Sequence, residues 1–393
     1  MDNHRNTESP TGTDAANPLN AAAGPGPEPD ELEPVPLDRD RLRTGFTTGT
    51  AATAAALAAS RILSGQSGPG EVMVRLPGGD DLAVSVALSA VINTDEAMAV
   101  VVKDAGDDPD VTNKAEIGAI VRRRSEPGLI NIIGGRGVGR LTKPGLALPP
   151  GHWAINPGPL SMLRENLLPF LSQPGLPGLE VEIFVEKGEE LAAKTLNPRL
   201  GIVGGISILG TTGLVKPFSN EAYLATIDSA LDLAKAIDLN EVVLTTGRQS
   251  ERLAMAARPD LPEEAFVQVA DFYGDSLKKA AGHGFAVVGI AAFFGKAVKQ
   301  AAGHYNTHAH RNDQDPVALA EWLRPKTGDE LAGRLRNAMT ARASLEILRE
   351  TGALDLVSEV AGRALTTARK FSGHGPDLWM IIFDYDGRLL CRI

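Results

Sequence analysis

Apolar and polar positions change rhythm twice along this chain. After a polar, proline-rich opening, RTGFTTGTAATAAALAASRILSG (43–65) sets Thr47, Thr48, Gly49 and Thr50 ahead of a run of alanines. Threonine caps helices, alanine propagates them and Gly65 offers a stop, so a helix to Leu63 is expected. Short apolar pieces follow at 71–76, 82–88, 97–105, 129–135 and 179–186 and read as strands, with a helix at 159–171 opened by Pro159. Strands clustered with few helices predict an α+β N-terminal domain.

Beyond Asn197-Pro198 the rhythm becomes alternating. Strands are expected at 201–208, 241–246, 266–271, 285–290 and 378–384. Helices are expected at 219–237, 249–257, 274–282, 294–302 and over most of 316–372. Such alternation predicts an α/β domain with a mostly parallel sheet. Ligands bind beyond the carboxyl ends of strands in sheets of this kind. That singles out the loops Thr245–Arg248, Asp271–Asp275, Ala291–Lys296 and Asp384–Gly387. The expected division is a tail over 1–36, an α+β domain over 37–200 and an α/β domain over 201–393.

Composition refines this picture. Residues 1–36 hold seven prolines, seven acids and one arginine, which accounts for −6 of the net charge of −10. A segment so poor in apolar surface is expected to be disordered. The acidic total argues against a nucleic-acid coat. The single cysteine, Cys391, excludes a disulfide framework and a multi-cysteine zinc site. No apolar run nears the ~20 residues of a membrane span. No secretory signal is visible. A soluble cytoplasmic protein with a small-molecule ligand, no nucleic acid and no membrane is expected.

Three common fingerprints fail. GGRGVGR (134–140) has the wrong spacing for a dinucleotide loop, Gly295-Lys296 lacks the P-loop hydroxyl, and GISILG (205–210) misplaces the second glycine of a nucleophile elbow. Two constellations remain. KDAGDDPDVTN (103–113) packs Asp104, Asp107, Asp108 and Asp110 into seven residues, suited either to a ligand loop or to an Asp-rich turn. GHYNTHAHRND (303–313) holds His304, His308 and His310, which read as a solvated turn more readily than as a metal site. Arg122-Arg123-Arg124 reads as a solvated strand end. Basic residues in glycine-rich loops, among them Arg248 and Lys296, suit a ligand with many carboxylates.

Taken in order, RTGFTTGTAA (43–52), KDAGDDPDVT (103–112), NPRLGIVGGISILGTTGLVKPFS (197–219), TTGR (245–248) and FGKAVKQAAGHYNTH (294–308) resemble the CbiD family. These are the cobalt-precorrin-5B C(1)-methyltransferases of anaerobic cobalamin biosynthesis. The resemblance spans roughly residues 40–390. It implies S-adenosyl-L-methionine as cosubstrate and a tetrapyrrole substrate that brings its own cobalt, with no metal held by the protein. It places the donor at Gly204, Gly205, Thr211, Thr212, Gly213, Thr245, Thr246 and Gly247. The macrocycle falls to Thr47, Thr48, Gly49, Asp107, Asp108, Asp110, Arg248, Lys296 and Thr307. Any proton adjustment falls to His308 or Asp104. Ala51 stands where family members often carry cysteine. A tetrapyrrole-binding or delivery protein without methyl transfer is the alternative, and transient contact with neighbouring pathway enzymes stays open.

Overall fold

The alanine run folds as the helix Thr48–Leu63, in which every residue except Arg61 is buried. Thr47 caps it, its Oγ1 accepting the Thr50 N–H at 3.2 Å. The computed structural model describes residues 41–172, 177–308, 315–373 and 375–393. The tail expected over 1–36 lies outside them. Alanine serves packing here as well as propensity, because its small side chain lets neighbouring strands approach the helix axis closely. The helix lies against the strands Glu96–Val102 and Glu116–Arg124. Ala55 is fully buried in this layer. Ala55→Leu is therefore expected to lower stability by ~1–3 kcal/mol through overpacking, read from urea unfolding.

Five strands form the first sheet, in the order Leu88–Asn93, Glu96–Val102, Glu116–Arg124, Gly178–Val185, Ile130–Gly134. The first three junctions are antiparallel and the last is parallel. Of its central strand, Glu116–Arg124, the sequence marks only the end at 122–124. Gly118 explains why a glycine is tolerated there, since a Cβ would fall 2.1 Å from the Phe184 ring. The reading of 122–124 as a solvated strand end is corrected at Arg122. Its guanidinium meets Glu96 at 2.6 Å, Glu182 at 2.8 Å and Glu180 at 3.4 Å, all from the two neighbouring strands.

The stretch expected as one strand over 201–208 is two short ones, Ile202–Val203 and Gly205–Ile206, separated at Gly204, whose φ is +81°. They pair with Arg140–Leu141 and Gly137–Val138, and Leu214–Val215 pairs with Gly45–Phe46. Residues 202–215 are thus stitched onto the N-terminal layer.

The second large sheet has the order Phe266–Gln268, Glu241–Thr245, Val287–Phe293, Asp377–Phe383, Leu389–Arg392. Its first three junctions are parallel and its last is antiparallel. One face is covered by the helices Asn220–Ala236, Tyr273–Gly282, Phe294–Ala301 and Val357–Ser372, the other by Arg248–Ala257. The whole is a mixed α/β fold with sheets of mixed orientation. Among the described residues no helix is long and apolar enough to cross a membrane.

Candidate functional site

The start of the alanine helix and the glycine–threonine loop hold each other. Thr47 N–H donates to the Gly213 carbonyl at 3.0 Å and Gly49 N–H to the Leu209 carbonyl at 3.1 Å. Thr48 Oγ1 accepts the Leu209 N–H at 2.8 Å and lies 3.2 Å from the carbonyls of Ser207 and Leu209. Thr50 Oγ1 donates to the Gly213 carbonyl at 2.7 Å. Gly210, at φ +130°, sits against Thr47, where a Cβ would approach to 2.5 Å. Thr47 and Thr48 are buried, so they build the floor that shapes residues 207–213. Gly49 and Gly205 are likewise packing glycines, against Pro159 and Gly137. Thr211 and Thr212 are exposed on the loop, and beside Gly204 there is open space.

Each of the four clustered aspartates is hydrogen-bonded, two of them to Arg43. Asp104 takes the Arg43 guanidinium through both oxygens, and the Gly106 N–H at 3.0 Å. Asp107 accepts the Arg43 backbone N–H at 2.6 Å, and Asp108 accepts that of Phe218 at 2.9 Å. Asp110 takes Lys103 Nζ at 2.6 Å together with the N–H and hydroxyl of Thr112, both at 2.7 Å. Lys103 is buried at 1 % side-chain exposure. Two of the four charges are thereby paired with cations, and the other two carboxylates are held by backbone N–H groups. The loop ties residue 43 and residue 218 to the first sheet.

The Arg43 hydrogen bond brings the Asp104 carboxyl from 3.8 down to about 2. The Asp104 carboxylate thereby holds the Arg43 guanidinium at the start of the loop. Burial alone would raise the Asp110 carboxyl, but the charge and hydrogen bond of Lys103 outweigh it and keep it below the usual range. Because the folded-state value of Asp104 is depressed, its contribution is present above pH ~4 and is lost as pH falls towards 2. Wild-type stability is expected to drop more steeply through that window than stability of Asp104→Asn. Parallel acid-unfolding curves would remove the tie from the account.

The second constellation lies at the carboxyl end of the second sheet. In chain order its parallel strands are Glu241–Thr245, Phe266–Gln268, Val287–Phe293 and Asp377–Phe383, and in space the second lies outside the first. The chain leaves the first strand towards one edge and the third towards the other. Their junction is the topological switch point, the position beside which sheets of this kind bind ligands. Thr245 is buried there, its hydroxyl donating to the Val267 carbonyl at 3.3 Å. Ser250 Oγ accepts the Gly247 N–H at 3.1 Å and lies 3.1 Å from Thr246 Oγ1. Gly247 faces open space, and Arg248 is exposed.

Lys296 Nζ reaches Asp271 Oδ1 at 2.5 Å and the Thr307 carbonyl at 3.2 Å. The buried Thr307 closes the set, its hydroxyl donating to Asp271 Oδ1 at 3.1 Å and its N–H to the Asp271 carbonyl at 3.0 Å. Asp271 follows the second strand and Lys296 the third, and these strands flank the first. The pair therefore spans the end of the first strand beside Thr245 and Thr246. Asp271 was not named individually among the sequence-derived site residues, though it opens the loop Asp271–Asp275 expected beyond a strand end. His308 is exposed, and its backbone N–H donates to Asn306 Oδ1 at 3.0 Å. His310 lies outside the described residues, among which no group of three potential metal ligands gathers.

The structure thus joins Thr47–Gly49 to residues 207–213 and Lys296 to Thr307. It attaches Thr211–Gly213 and Thr245–Gly247, expected to share one ligand, to different sheets.

Comparison with known proteins bears on both constellations. Residues 35–217 match the family model CbiD, and residues 306–393 match CbiD, C-terminal domain. A cobalt-precorrin-5B C(1)-methyltransferase of Geobacillus kaustophilus is 44% identical over 331 residues, 82% of this chain and 88% of the relative. The chain belongs to the CbiD family. A relative of the same name from Geobacter metallireducens is 42% identical over 89% of this chain and 98% of its own length. A solved structure, the cobalamin biosynthesis protein (cbiD) from Archaeoglobus fulgidus, shows 28% identity and a TM-score of 0.37, covering 79% of this chain and 85% of that one. The CbiD match takes in the helix start and the aspartate run, and its C-terminal counterpart takes in Thr307 and His308. Thr245–Arg248 falls between the two.

Proposed function

We propose that this CbiD-family chain transfers a methyl group from S-adenosyl-L-methionine to ring carbon C(1) of cobalt-precorrin-5B, giving cobalt-precorrin-6A. The observation that carries the reading is relatives of that name at 42–44% identity over 82–89% of the chain. We read the chain as two lobes with the seam at 216–219, because residues 202–215 pair with N-terminal strands. The donor is assigned to the switch point, where Gly247 leaves open space for close approach. When bound, it supplies a sulfonium-activated methyl group.

The chain's own work is then positioning. Thr246, Gly247 and Ser250 fix the first loop, and the Lys296–Asp271 pair fixes the loops on either side of it. Arg248 is free to meet a carboxylate arm with its planar fork. The floor of Thr47, Thr48 and Gly49 sets the shape of the second wall, at Thr211, Thr212 and Gly213. His308, exposed in the loop after the Lys296 helix, is the group assigned to any ring proton.

The test incubates the purified chain with cobalt-precorrin-5B and methyl-labelled donor. Label is expected in the macrocycle, with one equivalent of S-adenosylhomocysteine released. Macrocycle binding without that release would leave the chain a delivery protein. Unchanged turnover in His308→Gln would end the proton role.

A further inference from the structure

The triplet Asn197-Pro198-Arg199, just ahead of the strand Ile202–Val203, holds on in two directions. Asn197 turns back into the N-terminal layer. Its Nδ2 donates to the Gly205 carbonyl at 3.1 Å, and its Oδ1 accepts the Ser207 hydroxyl at 3.4 Å. The Ser207 carbonyl in turn faces Thr48 Oγ1 at 3.2 Å, on the floor that shapes residues 207–213. The triplet is thus fixed to the wall assigned to the macrocycle.

Arg199 reaches the other way, to the second sheet. Its Nη1 donates to Glu251 Oε1 at 2.6 Å and its Nη2 to the Phe266 carbonyl at 2.5 Å, with Nε 3.4 Å from Glu263 Oε1. Glu251 lies in the first turn of the helix Arg248–Ala257, and its own N–H donates to the Gly247 carbonyl at 3.0 Å. Its other carboxylate oxygen accepts Gln268 Nε2 at 2.7 Å, at the end of the strand that leads to Asp271. One guanidinium therefore holds both the helix that follows the Thr245–Gly247 loop and the strand beside it. The Arg199 and Glu251 side chains are 23 % and 11 % exposed, so water screens the pair only in part. Lys143 runs alongside, its Nζ reaching Glu264 Oε1 at 2.5 Å while its stem lies on Gly201.

We infer that Arg199 is a positioning residue, setting the distance between the donor loop at Gly247 and the macrocycle wall at 207–213. The inference rests on the proposed methyl transfer and adds what holds its two binding walls together. Each wall is shaped by its own hydrogen bonds, so each can bind its ligand alone. An in-line displacement also needs the two reacting atoms brought to about 3–3.5 Å of each other, and that depends on what joins the walls. The seam at 216–219 joins them through the backbone. Arg199 adds a lateral tie that resists rotation about that seam. Arginine suits the task because its planar fork serves a carboxylate and a carbonyl at once, whereas the ammonium of lysine is a compact point charge.

The experiment measures methyl transfer from labelled donor to cobalt-precorrin-5B, beside calorimetric titration with S-adenosylhomocysteine and a thermal melt for each protein. Arg199→Met is expected to lower kcat about 10- to 100-fold. The KM for cobalt-precorrin-5B and the Kd for S-adenosylhomocysteine are expected to stay within about threefold of wild type, since neither wall loses a ligand contact. Arg199→Lys keeps the charge without the fork and should recover only part of kcat. Glu251→Gln should lower kcat less than Arg199→Met and add little to it in the double variant, as expected of one shared tie. Wild-type kcat in Arg199→Met with a lowered melting temperature overturns the inference, leaving Arg199 a stabilising contact. A kcat loss matched by equally weakened S-adenosylhomocysteine binding overturns it too, confining the effect to the donor loop. Full rescue by Arg199→Lys overturns the two-way tie in favour of charge alone. If Arg199→Met does not fold, wild-type kcat in both Arg199→Lys and Glu251→Gln overturns it. A wild-type chain that transfers no label overturns the methyl-transfer reading itself, and this coupling with it.

Discussion

Lys296→Met is expected to lower kcat/KM for methyl transfer by about 10²-fold while leaving the protein folded. Methionine matches the length and apolar stem of lysine but removes the charge and all three donors. Asp271 would keep the Thr307 hydroxyl and lose its cation, and the loops after the second and third strands would lose their bridge across the first. The pair is about a quarter exposed on both sides, at 24 % and 26 %, so solvent screens it and the stability loss is expected to stay near ~1 kcal/mol. Activity should fall more than stability because displacements of about 1 Å at a reacting pair weigh heavily on rate. Asp271→Asn combined with Lys296→Met should recover part of the loss in stability, by removing the unpaired charge, and little of the loss in activity. Kinetics beside thermal melts decide it. Wild-type kcat/KM in Lys296→Met would separate this tie from the site.

Much of the second sheet was legible because each strand is a short apolar run closed by a loop signal. The runs at 241–246 and 378–384 fall within a residue of Glu241–Thr245 and Asp377–Phe383. Strand order was not legible, and it alone fixes the switch point. The loops Asp271–Asp275 and Ala291–Lys296 could be marked from the sequence, but that Asp271 and Lys296 meet across the end of the first strand could not be seen before the order Phe266–Gln268, Glu241–Thr245, Val287–Phe293 was known. The first sheet was harder for another reason. Glu116–Arg124 carries Gly118 inside and three arginines at its end, so its pattern resembles a loop running into a charged face. Only the carboxylates of neighbouring strands show why Arg122 belongs on a sheet.

The aspartate run was legible as a constellation and not as a tie. Its partners Arg43 and Phe218 lie 61 and 110 residues away from Asp104 and Asp108, beyond any local pattern. Phe218 itself sits at φ +54°, a conformation rare for a bulky residue, and the Asp108 bond to its N–H helps hold it there. The Asp108 carboxylate therefore helps fix where the glycine–threonine loop ends and the helix Asn220–Ala236 begins. A sequence motif can mark such a place without its residues touching the ligand.

Thr48→Val is expected to strike folding and substrate affinity together. Valine nearly matches threonine in shape, so packing in the alanine layer should survive. The hydroxyl, however, takes the Leu209 N–H at 2.8 Å and faces two carbonyls at 3.2 Å, in a residue only 3 % exposed. Removing it strands the Leu209 N–H away from water, which costs about 1–3 kcal/mol. Residues 207–213, with Gly210 at φ +130° and Gly213 at φ +83°, would then be held at fewer points. If this loop carries the wall at Thr211 and Thr212, the KM for cobalt-precorrin-5B should rise about tenfold, while S-adenosylhomocysteine binding stays close to wild type. Thr48→Ser keeps the hydroxyl and should restore both stability and KM. Urea unfolding and steady-state kinetics on the three proteins test it. A valine variant with wild-type KM would show that the loop's shape is not what the macrocycle reads.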